Sequence, residues 1–546
     1  MNEYIVTCRS YEDLENLYDD METPGGSLYI PDRAVDLVHR RAISRNTHYM
    51  LTEEEAAQVR NDERVIACER PARDRGIFPT PFWTQTGDFE KTTGTLQSDD
   101  KNWGLYRLIK GDTVSNWGSD NTTEISNQTI NTTASGKNVD VVIVDEHLNP
   151  NHPEFAVNTD GTGGSRVNQF NWFQYKSALG FNSHPSTYTY QFEGNHGTHV
   201  AGTACGNTQG WARDANIYNM AFSDAGGGVT NWDEFLWDYL RHFHKNKAVN
   251  SSTGRRNPTI TNHSWGYSYG NINLSGLTAV RYRGTTTGLS GTDSAKKTVL
   301  EDNGCPVPAS TYLYKTPYRH AGVDADIADA INDGVIIISA AGNSYWNCDT
   351  SSGNDYNNYV YGSGGTVYHS RGSTPSAADN VICVGSIGSK VAEYKSNFSN
   401  WGERVDIWAP GSDIISAVYD LSSSSSYGYR AQDPRDSSYY LASINGTSMA
   451  CPQVCGIIAC LAEQEPNLTQ AEALQHLKEH ALAEVGTTGT INHSTYEAFG
   501  DSHNRYAFMP KKRPDSGMTS PGQIHKNRNT TTAGVKYPRV RYQTTS

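Results

Sequence analysis

Val139-Asp140-Val141-Val142-Ile143-Val144-Asp145 decides the fold. Apolar residues occupy consecutive positions, so the strand this run predicts is buried on both faces, as in a parallel sheet covered by helices. Three further runs share that character: Asn216-Ile217-Tyr218-Asn219-Met220, Val335-Ile336-Ile337-Ile338 and Val381-Ile382-Cys383-Val384. Helical spacing appears at 231–246, where Trp232, Phe235, Leu236, Tyr239, Leu240 and Phe243 share a face, and at 323–333, 447–464 and 469–483. The capping box Thr469-Gln470-Ala471-Glu472 opens the last of these. Alternation of such strands and helices predicts an α/β fold with a parallel sheet between helical layers.

Outward from this centre, residues 1–75 carry 10 Lys/Arg and 16 Asp/Glu, a separate acidic unit. Tyr4-Ile5-Val6-Thr7, Leu28-Tyr29-Ile30 and Val65-Ile66-Ala67-Cys68 read as strands, and Tyr11–Met21 as a helix. Thr52-Glu53-Glu54-Glu55 is a capping box opening a second helix through Val59. The pattern is a small α+β split βαβ. Residues 76–101, rich in Pro, Gly and Thr without a clear period, read as a linker. The main domain spans 102–508, interrupted by polar stretches at 271–320, 345–372 and 418–440 that are too long for ordinary connections and read as surface insertions. The tail, 509–546, is basic and reads as a disordered end, with a docking arm for an acidic partner as the alternative.

Over 546 residues the formal charge is −14, which argues against nucleic acid as a partner. No apolar window is long enough for a transmembrane helix, and Met1-Asn2-Glu3-Tyr4-Ile5-Val6 lacks the basic and apolar regions of a secretory signal. The compartment stays open, with an intracellular or virion-associated product fitting this start. Nine scattered cysteines then read as reduced thiols, with a Cys305–Cys348 staple left open.

Acyl transfer by a serine needs a hydroxyl, an imidazole to take its proton, a carboxylate to fix the imidazole tautomer, and donors for the oxyanion. Asp145 ends a strand at the sheet edge where open α/β folds build sites. Gly194-Asn195-His196-Gly197-Thr198-His199-Val200-Ala201-Gly202 sets an imidazole among small residues. Ser339-Ala340-Ala341-Gly342-Asn343 ends another strand with an amide donor, and Asn445-Gly446-Thr447-Ser448-Met449-Ala450 leads a hydroxyl onto a helix's first turn. Read singly, Asp145 is a strand-end turn residue, and Cys451 with Cys455 suggests either a metal or redox pair or buried thiols. No His/Cys cluster has zinc spacing, so no metal ligands are assigned.

Together these segments resemble the subtilisin-like serine proteases, the subtilase family, over roughly 103–508 apart from the insertions. Asn102-Trp103-Gly104-Leu105, Asn262-His263-Ser264-Trp265-Gly266, Phe398-Ser399-Asn400-Trp401-Gly402 and Ala409-Pro410-Gly411 extend the resemblance. It implies Asp145, His196 and Ser448 as a triad, and Asn343 with the Ser448 N–H as the oxyanion hole. Ser264, Trp265 and Gly266 with Ala340, Ala341 and Gly342 would line the substrate pocket. Residues 1–75, through Leu51-Thr52-Glu53-Glu54-Glu55 and Val65-Ile66-Ala67-Cys68-Glu69, resemble the family's inhibitory propeptide. This implies a zymogen that cuts itself between Arg70 and Ser98, acts on polypeptide and needs no cofactor. The short Gly202–Trp211 stretch lacks the loop that supplies a strong calcium site in many relatives; calcium elsewhere stays open.

Two departures stand out. Glu146-His147 follow Asp145 where the family usually has a hydroxyl residue and then Gly, and Gln453 stands where a His is common. Glu146-His147, with the amount of polar inserted chain, leave a second reading, a catalytically silent scaffold used for binding or assembly. Exposed aromatics suggest a third, a carbohydrate-binding module.

Overall fold

Tyr4, Val6 and Cys8 alternate inward along the first strand, β1 (Asn2–Cys8), and begin the smaller of two units. The computed structural model describes residues 1–29, 36–40, 45–71, 74, 83–91, 96–110, 124–222, 232–389, 393–419, 429–482 and 502–509. The chain divides after Thr80. In the first unit β1 is followed by α1 (Tyr11–Glu22), β2 (Asp36–Arg40), β3 (Asn46–Leu51), α2 (Glu53–Arg60) and β4 (Val65–Glu69). The sheet order is β2-β3-β1-β4. β3 runs antiparallel to both β1 and β2, so the two strands that α1 connects are parallel and split by a third. Ser10 caps α1, whose Leu14, Leu17, Tyr18 and Met21 fill the core at helical spacing, and the Thr52/Glu55 capping box opens α2. Leu28 and Tyr29 form no strand; they lie after a turn in which Tyr29 N bonds Gly26 O, and the pairing strand is β2.

The second unit opens with β5 (Trp83–Glu90), β6 (Asp100–Asn102), α3 (Trp103–Lys110) and β7 (Glu124–Thr132). β5 and β7 pair antiparallel, so Trp83–Glu90, within the stretch expected as linker, is sheet. Next come β8 (Asp140–Asp145), β9 (Val167–Asn168), α4 (Asn195–Cys205), β10 (Asn216–Ala221), α5 (Trp232–Asn246) and β11 (Thr259–His263). β12 (Ile272–Asn273), β13 (Leu277–Tyr282), β14 (Thr285–Gly288), α6 (Asp293–Asp302) and β15 (Tyr312–Leu313) lead to α7 (Ala321–Asn332) and β16 (Ile336–Ala340). The chain continues through β17 (Tyr359–Gly362), β18 (Gly365–Tyr368), β19 (Ile382–Ile387), β20 (Ile407–Pro410), β21 (Ile414–Val418), β22 (Tyr429–Asp433) and β23 (Asp436–Ile444). It closes with α8 (Thr447–Gln464) and α9 (Gln470–His480).

Seven parallel strands, ordered β20-β19-β16-β11-β8-β10-β9, form the central sheet. Side chains of β8 alternate between two cores. Val141 and Ile143 pack with α4 and α8, and Val142 and Val144 with α5 and α7. That is the doubly covered sheet the unbroken apolar run calls for. From β8 the chain passes to β10 on one side and later to β11 on the other. The strand order therefore reverses at the C-terminal ends of β8 and β11, where open α/β sheets leave a crevice.

The stretches 271–320 and 345–372 are more than surface loops. β14-β13-β17-β18 make an antiparallel sheet spanning both, with a core that includes Leu274, Val280, Leu300, Val307, Trp346 and Val360. Lys296 is buried there and its Nζ donates to the carbonyls of Leu274, Ser275 and Leu277. Lys395, also buried, does the same for Ser396, Asn397 and Ser399. The third stretch supplies β22 and part of β23, which sheet with β21. The basic tail lies outside the described residues apart from Met509. All nine cysteines are buried and free, so Cys305 and Cys348 are not bridged. Cys451 and Cys455 are buried thiols, and burial drives both pKa values well up.

Candidate active site

Parallel register sets the sheet's C-terminal ends side by side. His263 of β11 pairs with Val144 of β8 and Ser339 of β16, so Asp145, Ser264 and the Ala340–Asn343 segment emerge along one edge. Asp145 is buried. Its Oδ1 accepts from Glu146 N at 2.8 Å and from His196 Nδ1 at 2.7 Å. Its Oδ2 is buried without a hydrogen-bond partner among the described residues.

His196 is the second residue of α4, and glycine lets that helix begin where it does. A Cβ at Gly194 would sit 1.6 Å from His147 O, and one at Gly197 would sit 2.7 Å from Glu146 O. Only bare backbone can approach the loop after Asp145 so closely. Burial pulls the His196 pKa down, but the Asp145 charge, its hydrogen bond and the charge of Glu146 outweigh it and hold the imidazole above its ordinary value. One turn on, His199 is buried, bonds the carbonyls of Ile414 and Ala442 through Nε2, and is pushed down to about 3 by desolvation. It is a neutral pin between α4 and the β21–β23 pair.

Ser448 is the second residue of α8 and is 7 % exposed. Pro452 sits four residues later, inside the helix, and has no N–H to give the Ser448 carbonyl. That carbonyl accepts instead from Ser264 Oγ at 2.9 Å, and Ser448 Oγ donates to Ser264 O at 3.1 Å. Among the described residues no hydrogen bond joins Ser448 Oγ to His196. The aspartate–histidine pair is therefore formed, and the serine hydroxyl is turned toward β11.

Asn343 accepts from Thr447 N and Thr447 Oγ1, both at 2.8 Å, through Oδ1. Its amide Nδ2 is thereby directed beside Gly446 at the start of α8. Gly342 precedes it with φ +104, where a Cβ would meet Asn400 Nδ2 at 2.5 Å. Asn400 bonds Ala341 O, Ser344 N and Trp346 N, and so shapes this loop. Ala340 and Ala341 are buried; Gly266 faces Ser373, and Trp265 packs on Phe222 at 5.0 Å. Gln453, buried, accepts from Trp211 Nε1 and donates to Asn102, a packing role. Among the described residues no cluster of three or more His, Cys, Asp or Glu could hold a metal ion.

Reasoning from sequence missed Thr447 and Asn400 as supports of the Asn343 loop. It also missed the Ser264–Ser448 exchange, for which Pro452 four residues after the serine was the available signal.

The subtilase family profile matches residues 136–508. The chain belongs to the subtilase family. This subtilase is 27 % identical to subtilisin-like protease 3 of Arthroderma otae over 370 residues, covering 67 % of this chain and 63 % of that protein. It is 24 % identical to the subtilisin-like serine protease pepC of Aspergillus niger over 438 residues, covering 79 % and 61 %. It is 25 % identical to alkaline serine exoprotease A of Vibrio alginolyticus over 382 residues, covering 68 % and 52 %. The matches thus span under two thirds of each relative's length. Among solved structures, a cold-adapted subtilisin-like serine proteinase is 21 % identical with a TM-score of 0.43, covering 75 % of this subtilase and 98 % of that chain.

Proposed function

We propose that this subtilase is a serine endopeptidase that hydrolyses polypeptides through an acyl-enzyme on Ser448. The observation that carries the reading is the 2.7 Å bond from His196 Nδ1 to the buried Asp145 carboxylate. It places the imidazole proton on Nδ1 and leaves Nε2 free to act as a base. In the reaction Ser448 Oγ rotates from Ser264 O to His196 Nε2, surrenders its proton there and attacks the scissile carbonyl carbon. The oxyanion forms against Asn343 Nδ2 and the Ser448 N–H. Collapse breaks the C–N bond, and the imidazolium returns the proton to the leaving amine. Water, deprotonated by His196, then cleaves the ester and restores Ser448. Ser264–Gly266 and Ala340–Gly342 flank an extended substrate by strand addition.

In the same reading residues 1–75 are an inhibitory propeptide, removed by a cut between Arg70 and Ser98. The Ser448 hydroxyl's bond to Ser264 O favours a second reading, a silent scaffold. One experiment separates them: a fluorophosphonate probe applied to wild type and Ser448→Ala, with the N-terminal unit followed by mass spectrometry. Labelling and linker cleavage are expected in wild type alone, and losing the nucleophile should lower kcat by about 10⁶, the cost measured in subtilisin itself. Absence of labelling once the first unit has been removed supports the scaffold, and linker cleavage by purified Ser448→Ala overturns self-processing.

A further inference from the structure

Glu146 stands where the family resemblance leads one to expect a hydroxyl residue, and its side chain has a specific contact. Gly194 stands at the capping position before α4 and offers no side chain to cap it. The first N–H groups of a helix need acceptors from elsewhere. Glu146 Oε2 supplies one, accepting from His196 N at 3.2 Å. Its backbone is fixed on both sides, since Glu146 N donates to Asp145 Oδ1 and Glu146 O accepts from Asn219 Nδ2 at 3.1 Å. Gly194 and Gly197 lie against the 146–147 backbone too closely to admit a side chain. The carboxylate thus sits at the positive end of α4, on the residue next to Asp145.

We propose that Glu146 is a positioning residue for His196, capping the first turn of α4 through the His196 N–H and setting a second negative charge beside the imidazole. The proposal rests on His196 being the general base. The elements packed around His196 bring few other charges. The loop after β8 holds Asp145, Glu146 and His147; the segment before α4 holds Glu193; and the turn at Pro153–Phe155 holds Glu154. β21 has no titratable side chain; α8 holds the buried thiols Cys451, Cys455 and Cys460, whose pKa values burial drives well up, and Glu463 in its last turn; and His199 is neutral. Of these groups, Asp145 and Glu146 are the ones whose charges raise the His196 pKa. A base must be neutral to act, so a raised imidazole pKa moves the acid limb of the rate profile to higher pH. Glu146 is exposed, so added salt screens its share of that shift.

The test measures the fluorophosphonate labelling rate against pH at low and high salt for wild type, Glu146→Gln and Glu146→Ala. Both variants should move the acid limb to lower pH. Salt should move the wild-type limb the same way and leave that of Glu146→Gln nearly in place. Glu146→Gln keeps an acceptor for His196 N, whereas Glu146→Ala should also lose about tenfold in plateau rate through misplacement of the ring. Superimposable limbs in all three proteins overturn the proposal. Should wild type fail to label, the protease reading fails separately, and the His196 titration followed by NMR in Ser448→Ala with and without Glu146→Gln still decides. An imidazole titrating at the same pH in both refutes it.

Discussion

The reciprocal bonds between Ser264 and Ser448 yield a quantitative expectation. Replacing Ser264 by Ala strands two buried groups. Ser448 O loses the donor that compensates for Pro452, and Asn262 Nδ2, fully buried, loses its only acceptor among the described residues. A buried polar group left unsatisfied costs about 1–3 kcal/mol, so the pair should destabilise the second unit by about 2–6 kcal/mol. The cause is separable from mere loss of a hydroxyl. Changing Pro452 to Ala restores a helical N–H four residues beyond Ser448, and its carbonyl then has a partner without Ser264. In that background Ser264→Ala should cost about 1 kcal/mol less or better, a coupling well outside additivity error. The assay is urea unfolding followed by tryptophan fluorescence, with all variants carrying Ser448→Ala so that self-digestion does not intrude. An equal cost with and without Pro452, or a Ser264→Ala cost below about 0.5 kcal/mol, refutes the argument that proline frees the serine's carbonyl.

Other expectations follow from the same geometry. Asp145→Asn presents an amide donor to His196 Nδ1, moves the ring proton to Nε2 and should lower kcat by about 10⁴ with the fold intact; peptide hydrolysis beside a thermal melt checks both. Asn343→Ala should lower kcat by about 10²–10³ with little change in KM, a size known for the oxyanion donor of subtilisin; a large KM effect instead would place Asn343 in ground-state binding. Burial pushes His199 and His263 both down to about 3, and they stay neutral in the fold. The unfolded chain binds those protons at ordinary imidazole pH, so stability should be fully present above about 6.5 and fall as pH drops toward 3. Urea midpoints measured from pH 7 to 4 report the slope, and His199→Gln, which keeps a donor for Ile414 O and Ala442 O, should flatten it.

What the sequence made legible was what short stretches determine. An unbroken apolar run fixed β8 as a doubly covered strand, which put Asp145 at the sheet edge, and the glycines around His196 marked a backbone that had to pass close to another. What stayed hidden depends on partners far along the chain. Trp83–Glu90 holds two threonines and is interrupted by Gly87, and becomes a strand because β7 pairs with it across some forty residues and β6 with its last three. The stretches 271–320 and 345–372 each read as polar surface insertions, yet Val280 and Leu300 from one meet Trp346 and Val360 from the other in a single core. Leu28 and Tyr29 failed for the opposite reason, since strand propensity counts for nothing without a neighbour in register; Ile30, the third residue of that expected strand, lies outside the described residues. The contact of Glu146 with His196 could not be read at all, because it depends on how the first turn of α4 meets the end of β8.

Lys296 and Lys395 each point an ammonium into a ring of three main-chain oxygens. Chemically such a ring is what a protein offers a dissolved cation, with the difference that here the occupant is tethered by its own hydrocarbon stem. A tethered occupant has no dissociation constant, so a chelator such as EDTA cannot strip it, and the loops it gathers keep their shape whatever ions the surroundings hold. Only rewriting the codon empties the ring.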